Sequence, residues 1–477
     1  MWYNFREATK GKNMRISTCI VLFMALVAST HLAEAKASAA RTVTVDTRAS
    51  AGRMNLRLNG GNGYTPIARL SSGGWGTFIK PMADLHLPIV RTHDTILMDD
   101  GVKTVDIHMI FANFRADENN PDNYWFKQTD EYLGRAIKEG SKILFRLGES
   151  IEHGLVKYFV HPPEDFAKWA RICSHIIDHY NNGWADGFHW NIEYWEIWNE
   201  PDVRPGCWTG TDEQFFDLYI TAAKYLKEKH PGVKVGGAAF AGARRLYEPF
   251  LATVAKAGAP LDFFSIHCYT DNYNWLAREL PRQIRELVDK YGFKKSELVL
   301  DEWHYFPCVW NGLETDQPYR KKAYEQLASV EAGAFAAAVM IGWQDSPLDI
   351  GCYYTTGPDA VGWGLIERSK RELTDSYWCF KAYCDLMRYP DRVKATAQEP
   401  LHALAGRDAN GRVGVLVSGL RNRYGDITVQ LDHAPKNVSL KAVDWNRQLA
   451  ATPFKVEGTA VTFNQQGDSA VFLLELE

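Results

Sequence analysis

The chain has 477 residues, 46% of them apolar, and a formal net charge of −4 with 23% Asp, Glu, Lys and Arg. That length holds one large domain and a smaller one, and the mixed, nearly balanced charge offers no basic surface for nucleic acid or an anionic membrane. The 16 Trp and 22 Tyr suit a deep core, and equally a protein that stacks rings on sugar faces.

At the start of the chain, Lys10, Lys12 and Arg15 precede an apolar run over 19–28, followed by Leu32-Ala33-Glu34-Ala35. Basic, apolar and small-residue segments in that order form a secretory signal peptide over 1–35, cut near Ala35, which predicts export to the periplasm or the cell exterior. The apolar run is too short to span a bilayer. Its removal takes Cys19 and leaves Cys173, Cys207, Cys268, Cys308, Cys352, Cys379 and Cys384, an odd set without C-x-x-C or zinc-type spacing. Buried free thiols are expected, with a disulfide among Cys207, Cys308 and Cys352 left open. No metal and no cofactor is expected.

Residues 41–48 begin with the alternation of a strand, and 58–64 is a glycine-rich strand end without the G-x-G-x-x-G spacing of a nucleotide site. From there an apolar run, a polar end and an amphipathic helix recur. The runs 58–63, 89–93, 143–147, 194–198, 233–238, 263–267, 298–302 and 338–343 read as strands. Helical periodicity covers 131–137, 166–180, 213–229, 246–257, 276–291 and 319–334. Alternation of this kind predicts an α/β fold with a parallel sheet, and eight repeats predict a closed (β/α)8 TIM barrel over 58–390. An open doubly wound sheet would need a phosphate-type glycine loop after its first strand, which is absent. After Pro390 the runs become short and alternating between Gly, Asp, Asn and Pro turns. They predict a C-terminal antiparallel β-sandwich over 391–477, joined by the strand at 41–48.

The fourth run is Tyr194-Trp195-Glu196-Ile197-Trp198-Asn199-Glu200-Pro201-Asp202. Pro201 ends its ladder, so Asn199 and Glu200 fall at the C-terminal end of a strand, where barrels place their chemistry. The second run ends in Arg91-Thr92-His93-Asp94, the sixth in His267-Cys268-Tyr269, the seventh in Asp301-Glu302-Trp303-His304 and the eighth in Trp343-Gln344-Asp345. A closed barrel brings these ends to one mouth, with Glu200 and Glu302 facing across it. Neither G-x-S-x-G nor H-E-x-x-H occurs. Opposed carboxylates among Trp, Tyr, His and Asn suit cleavage of a glycosidic bond, one protonating the leaving oxygen while the other attacks the anomeric carbon. Asn199 is suited to a sugar 2-hydroxyl, and Trp303 and Trp343 to sugar faces. Glu196 is expected to point into the barrel and pair with Arg91 or Arg146. Glu149, ending the third run, ranks behind the other two carboxylates, and His304 reads as a loop residue.

These motifs resemble the retaining glycoside hydrolases built on the (β/α)8 barrel. Within them the chain most resembles glycoside hydrolase family 39, the β-xylosidase and α-L-iduronidase family. The likeness rests on residues 90–94 followed by Asp99-Asp100, on 195–202, 262–269 and 300–303, and on Gly362-Trp363-Gly364-Leu365-Ile366 before Tyr377-Trp378-Cys379-Phe380. It implies Glu200 as acid/base, Glu302 as nucleophile, and contacts to the sugar or nucleophile for His93, Asn199, His267 and Tyr269. Asp301, where the family often has Thr, and the segment 107–125 depart from the pattern.

The expectation is an exported retaining exo-glycosidase, β-xylosidase-like, that hydrolyses O-glycosidic bonds of oligosaccharides by double displacement. An α-L-arabinosidase or β-galactosidase of the same family is the alternative. A non-catalytic carbohydrate-binding protein on the same barrel is the alternative from another class, although a pure binder needs neither carboxylate. The expected partner is an oligosaccharide or glycoside, with no nucleic acid or membrane, and homo-oligomerisation left open.

Overall fold

The computed structural model describes residues 41–64, 67–69, 75–93, 104–359, 362–367 and 371–477. The leader, Asp94 and Asp99-Asp100 lie outside them. Eight strands form the barrel: β1 (Gly60–Asn62), β2 (Ile89–Arg91), β3 (Lys142–Leu147), β4 (Tyr194–Ile197), β5 (Lys234–Phe240), β6 (Phe263–Thr270), β7 (Glu297–Tyr305) and β8 (Ile350–Tyr353). Each pairs in parallel with the next, and β8 pairs with β1 to close the barrel.

The two-residue period of a strand stacks the interior in layers. Ile89, Leu144, Tyr194, Phe263, Val299, Ile350 and Cys352 make an apolar plug. Two residues further along five of these strands stand Arg91, Arg146, Glu196, Ser265 and Asp301, all fully buried. Two further again, His93 and His267 reach the mouth. The barrel thus has an apolar floor, an ionic middle layer and a polar rim.

The eighth strand is a correction. Residues 338–343 belong to the helix Val330–Trp343, and the strand is Ile350–Tyr353. Ser329 caps that helix, its Oγ accepting from the Ala332 N–H at 3.3 Å, and Gln317–Leu327 is a separate helix before it. Nearly every residue of Val330–Trp343 is buried, because the barrel covers one side and the C-terminal sheet the other. A helix that is apolar all round has no 3.6-residue signal, so its Ala-rich run passes for a buried strand.

The C-terminal unit is a curled, almost wholly antiparallel sheet of ten strands. Thr42–Arg53 lies within it, antiparallel to Asp391–Thr396 and parallel to Gly425–Leu431. Its core includes Val43, Val45, Val415, Val429, Phe463 and Phe472. Arg421 ties this sheet to the barrel, with Nε 2.6 Å from Glu331 and an Nη2–H bond to the Tyr305 hydroxyl at 3.1 Å.

Segment 107–125 packs on the helix Phe166–Asn181, where Glu118 meets Arg171 at 2.6 Å and Lys168 at 3.2 Å. All seven described cysteines are free, so the disulfide left open by the sequence is absent. Among the described residues no single helix is long and apolar enough to cross a membrane.

Candidate active site

Arg91 is the hub. Its guanidinium lies 2.7 Å from Glu196, 2.9 Å from Asp301 and 2.8 Å from Glu302. It also donates to Asn199 Oδ1 at 2.8 Å and to Asn62 Oδ1 at 3.3 Å. Ser265 Oγ donates to the other Glu196 oxygen at 2.6 Å. Of the two partners expected for Glu196, Arg91 is the one it meets. Arg146 instead binds Asp106 at 2.7 Å.

Two local distortions bring the carboxylates together. On β7 the pairing to β6 slips by one residue between Leu300 and Glu302. This bulge opposes two residues to one, so Asp301 and Glu302 both turn toward Arg91. At the end of β4, Trp198 and Glu200 take φ of +74° and +46°, conformations that non-glycine residues seldom adopt. The Trp198 ring packs outward against Trp169 and Trp208, while the Glu200 N–H donates to Ala239 O at 3.0 Å.

The result is a compact mouth. Glu200, His267 and Glu302 each place one donor atom within 4.8 Å of the others. His267 Nδ1 is 2.7 Å from Glu200 Oε1 and 3.4 Å from Glu302 Oε2. Tyr269 donates its hydroxyl to Glu302 Oε2 at 2.6 Å, and His93 Nε2 is 3.3 Å from Oε1. The Cys207 thiol donates to Glu200 Oε2 at 3.7 Å. The Glu302 side chain is 4% exposed and that of Glu200 15%, so Glu200 is the carboxylate nearer to water.

The family model for glycosyl hydrolases family 39 matches residues 77–353. The chain belongs to that family. A β-xylosidase of Caldicellulosiruptor saccharolyticus is 28% identical over 236 residues, which cover 46% of this chain and 42% of that relative. A β-xylosidase of Geobacillus stearothermophilus is 33% identical over 116 residues, 23% of this chain and 22% of the relative. The chain therefore matches less than half the length of either relative. Among solved structures, a glucosidase from Croceicoccus marinus aligns with a TM-score of 0.76 at 22% identity, over 92% of this chain and 99% of that one. A family 39 β-xylosidase from Caulobacter crescentus aligns at 0.67 and 18% identity, over 92% and 100%. At these identities the likeness is one of fold.

In this family 39 barrel the mouth gathers His93, Asn199, Glu200, His267, Tyr269 and Glu302. Trp303 and Trp343 are corrections, since neither faces the mouth. The bulge at Asp301 sends Trp303 outward, edge-on to Trp343 at 4.6 Å and to Tyr353 at 5.0 Å between barrel and helix. Trp343 ends the helix Val330–Trp343, buried, its Nε1–H donating to Leu276 O at 2.9 Å. His304 is likewise no loop residue. It lies on β7, with Nε2 2.7 Å from the Tyr353 hydroxyl.

The aromatic wall comes from residues the sequence reading did not select. Phe306, Trp310 and Trp363 stack with centroids 4.5–5.8 Å apart, and Tyr269 meets each of them edge-on. Tyr354 closes on His93 at 5.4 Å. Trp363 lies in the Gly-Trp-Gly stretch already matched to the family, which is the signal that points to it.

Burial raises the Glu302 carboxyl above its ordinary value; His267 opposes this, Glu200 adds to it, and Arg91 and Tyr269 oppose it further. Burial lowers His267 to about 4, so its imidazole is neutral near pH 7. Burial raises Tyr269 well above its usual value, which keeps the hydroxyl a donor. A second cluster, Asp106, His108 and Glu149, also has metal-like spacing. Its groups are already partnered: Asp106 binds Arg146, Glu149 lies against His108, and burial first raises Glu149 to about 7. At the mouth, Glu302 is likewise partnered, by Arg91 at 2.8 Å.

Arg91→Met should destabilise the protein by about 3–5 kcal/mol near pH 7, because it strands buried carboxylates. With Arg91 present, burial alone would raise Glu196, but the guanidinium and the hydrogen bonds hold it below its ordinary value. That contribution is complete above the unfolded pKa and is lost as pH falls through the folded one. Without Arg91 the buried carboxyls favour their protonated forms. The gap between variant and wild type should therefore narrow toward about pH 4. Urea midpoints across pH measure it, and a small or pH-independent gap contradicts the account.

Proposed function

We propose that the protein is an exported, retaining exo-glycosidase of β-xylosidase type, with Glu302 as nucleophile and Glu200 as acid/base. The observation that carries this reading is the approach of the two carboxyls. Glu200, just past the end of β4, and Glu302, on β7, have oxygens within 4.8 Å of each other. Retaining enzymes hold their carboxyls about 5–5.5 Å apart, whereas inverting ones need about 6.5–9.5 Å to admit a water.

Each step follows from a contact. Glu200 protonates the glycosidic oxygen as Glu302 attacks the anomeric carbon and forms a glycosyl ester. Arg91 and His93 on one Glu302 oxygen, and Tyr269 on the other, hold the attacking geometry. The same donors stabilise the departing carboxylate when the ester is cleaved. Glu200, now ionised, draws a proton from the incoming water. His267 serves Glu200 in both states, accepting from the acid or donating to the carboxylate according to its tautomer. Asn199, oriented by Arg91, is placed for the sugar 2-hydroxyl. The sugar assignment rests on the two curated relatives named β-xylosidases, and a carbohydrate-binding role leaves the close approach of two carboxyls without a purpose.

Among nitrophenyl β-D-xyloside, α-L-arabinoside, β-D-galactoside and β-D-glucoside, the xyloside should give the highest kcat/KM. Glu302→Gln should abolish turnover even of activated aryl glycosides, since nothing else can attack. A 2-fluoro glycoside of the right sugar should label Glu302 in mass spectrometry, and a label on Glu149 or Glu196 would overturn the assignment. In Glu200→Ala, poor leaving groups should slow far more than activated ones, and azide should restore part of the rate. Equal losses for both classes argue against Glu200 as the acid.

Export rests on the leader. N-terminal sequencing of protein recovered outside the cytoplasm should find a start near Ala35, and a chain that still carries the apolar run 19–28 contradicts cleavage.

A further inference from the structure

The charges around Arg91 do not balance as full ions. Glu196, Asp301 and Glu302 each approach this one guanidinium within 2.9 Å, and Glu196 and Asp301 are sealed from solvent. Among the described residues, the other titratable groups that face Asp301 are His267, Cys352 and Tyr247, and none of them supplies a second positive charge. His267 Nε2 stands 3.6 Å from Oδ1, and that imidazole is neutral. Cys352 on β8 and Tyr247 on the helix Tyr247–Lys256 are acids that burial keeps protonated.

The hydrogen bonds tell the same story. Among the described residues, neither Asp301 oxygen receives a hydrogen bond from any donor group. Arg91 Nε–H is spent on Glu196 Oε2 at 2.7 Å, although Nε lies 2.9 Å from Asp301. Glu196 Oε2 and Asp301 Oδ2 nonetheless crowd that one nitrogen, at 2.7 and 2.9 Å, and two carboxyls set side by side can bond to each other only if one of them carries a proton.

We propose that Asp301 and Glu196 share one proton as an acid–carboxylate pair of net charge −1, and that Asp301 is thereby a positioning residue for the nucleophile. The kinetic consequence rests on Glu302 having that role. Burial, then the neighbouring Glu196, pushes Asp301 well above its ordinary range, while Arg91 opposes both, consistent with Asp301 as the holder of the proton. The pair offsets the guanidinium, and Glu302 adds one negative charge in excess beside the anomeric carbon. That excess favours the positive charge developing on the sugar. Once Glu302 is esterified, Arg91 and the pair balance one to one.

Charge counting supplies the test. Asp301→Asn leaves Glu196 as the anion, and Glu196→Gln leaves Asp301 as the anion, so either single variant keeps the pair at −1. The double variant brings it to zero. The acid limb of kcat/KM on an activated aryl glycoside reports ionisation of the nucleophile. Each single variant should keep that limb within about half a pH unit, and the double should move it down by more than about one unit. Single shifts that add up to the double shift would mean two separate charges and overturn the proposal.

Infrared difference spectra at neutral pH give a readout that needs neither turnover nor the double variant. A protonated-carboxyl C=O stretch in wild type should vanish in Asp301→Asn and in Glu196→Gln, each confirmed as folded by circular dichroism. It should persist in Glu302→Gln, so this arm stands even if the nucleophile is another residue. A wild-type spectrum with no band lost in either single variant refutes the shared proton.

Discussion

A guanidinium without access to water, held at the end of a short strand, sets the geometry of everything above it. Burying an unpaired charge costs several kcal/mol, so Arg91 has to be met by partners wherever the chain can supply them. They come from β1, from β4 and the turn that follows it, and from β7, as Asn62, Glu196, Asn199, Asp301 and Glu302. Each contact constrains the strand that makes it, and two of the residues held this way belong to the proposed reaction. The ionic layer thus gives up some stability for fixed positions of Glu302 and Asn199, where an apolar layer would pack at lower cost.

The same requirement gives the backbone irregularities a purpose. Regular alternation would present Asp301 or Glu302 to the interior, but not both. The bulge on β7 presents both and turns Trp303 into the helix layer. Regular strand geometry would also carry the end of β4 past the mouth. The left-handed turns at Trp198 and Glu200, with a third at Ala239 on the adjoining β5, redirect it inward. Strained backbone of this kind persists where the surroundings over-determine it, which is characteristic of working sites.

These features also mark what could be read from the sequence. Two-residue alternation, ended by Pro201, places Asn199 and Glu200 at a strand end, and the layers of the barrel follow from the same period. Glu196 facing Arg91 was legible for that reason. Trp303 was not, because alternation counts residues and a bulge adds one that leaves no mark in composition. Trp343 and the eighth strand were lost to a helix covered on both sides, whose periodicity is erased by its burial. Phe306, Trp310, Tyr354 and Trp363 lie beyond the ends of β7 and β8, in segments with no period to read. Their convergence on Tyr269 is a tertiary fact.

The arrangement of two carboxyls over one buried cation makes a stereochemical commitment, and the configuration of the first sugar released tests it most directly. Proton NMR of nitrophenyl β-D-xyloside hydrolysis, recorded before mutarotation, should show the β anomer appearing first and the α anomer only later. If the α anomer appears first, water attacks directly, and the nucleophilic role of Glu302 is wrong even though the barrel and its ionic layer remain.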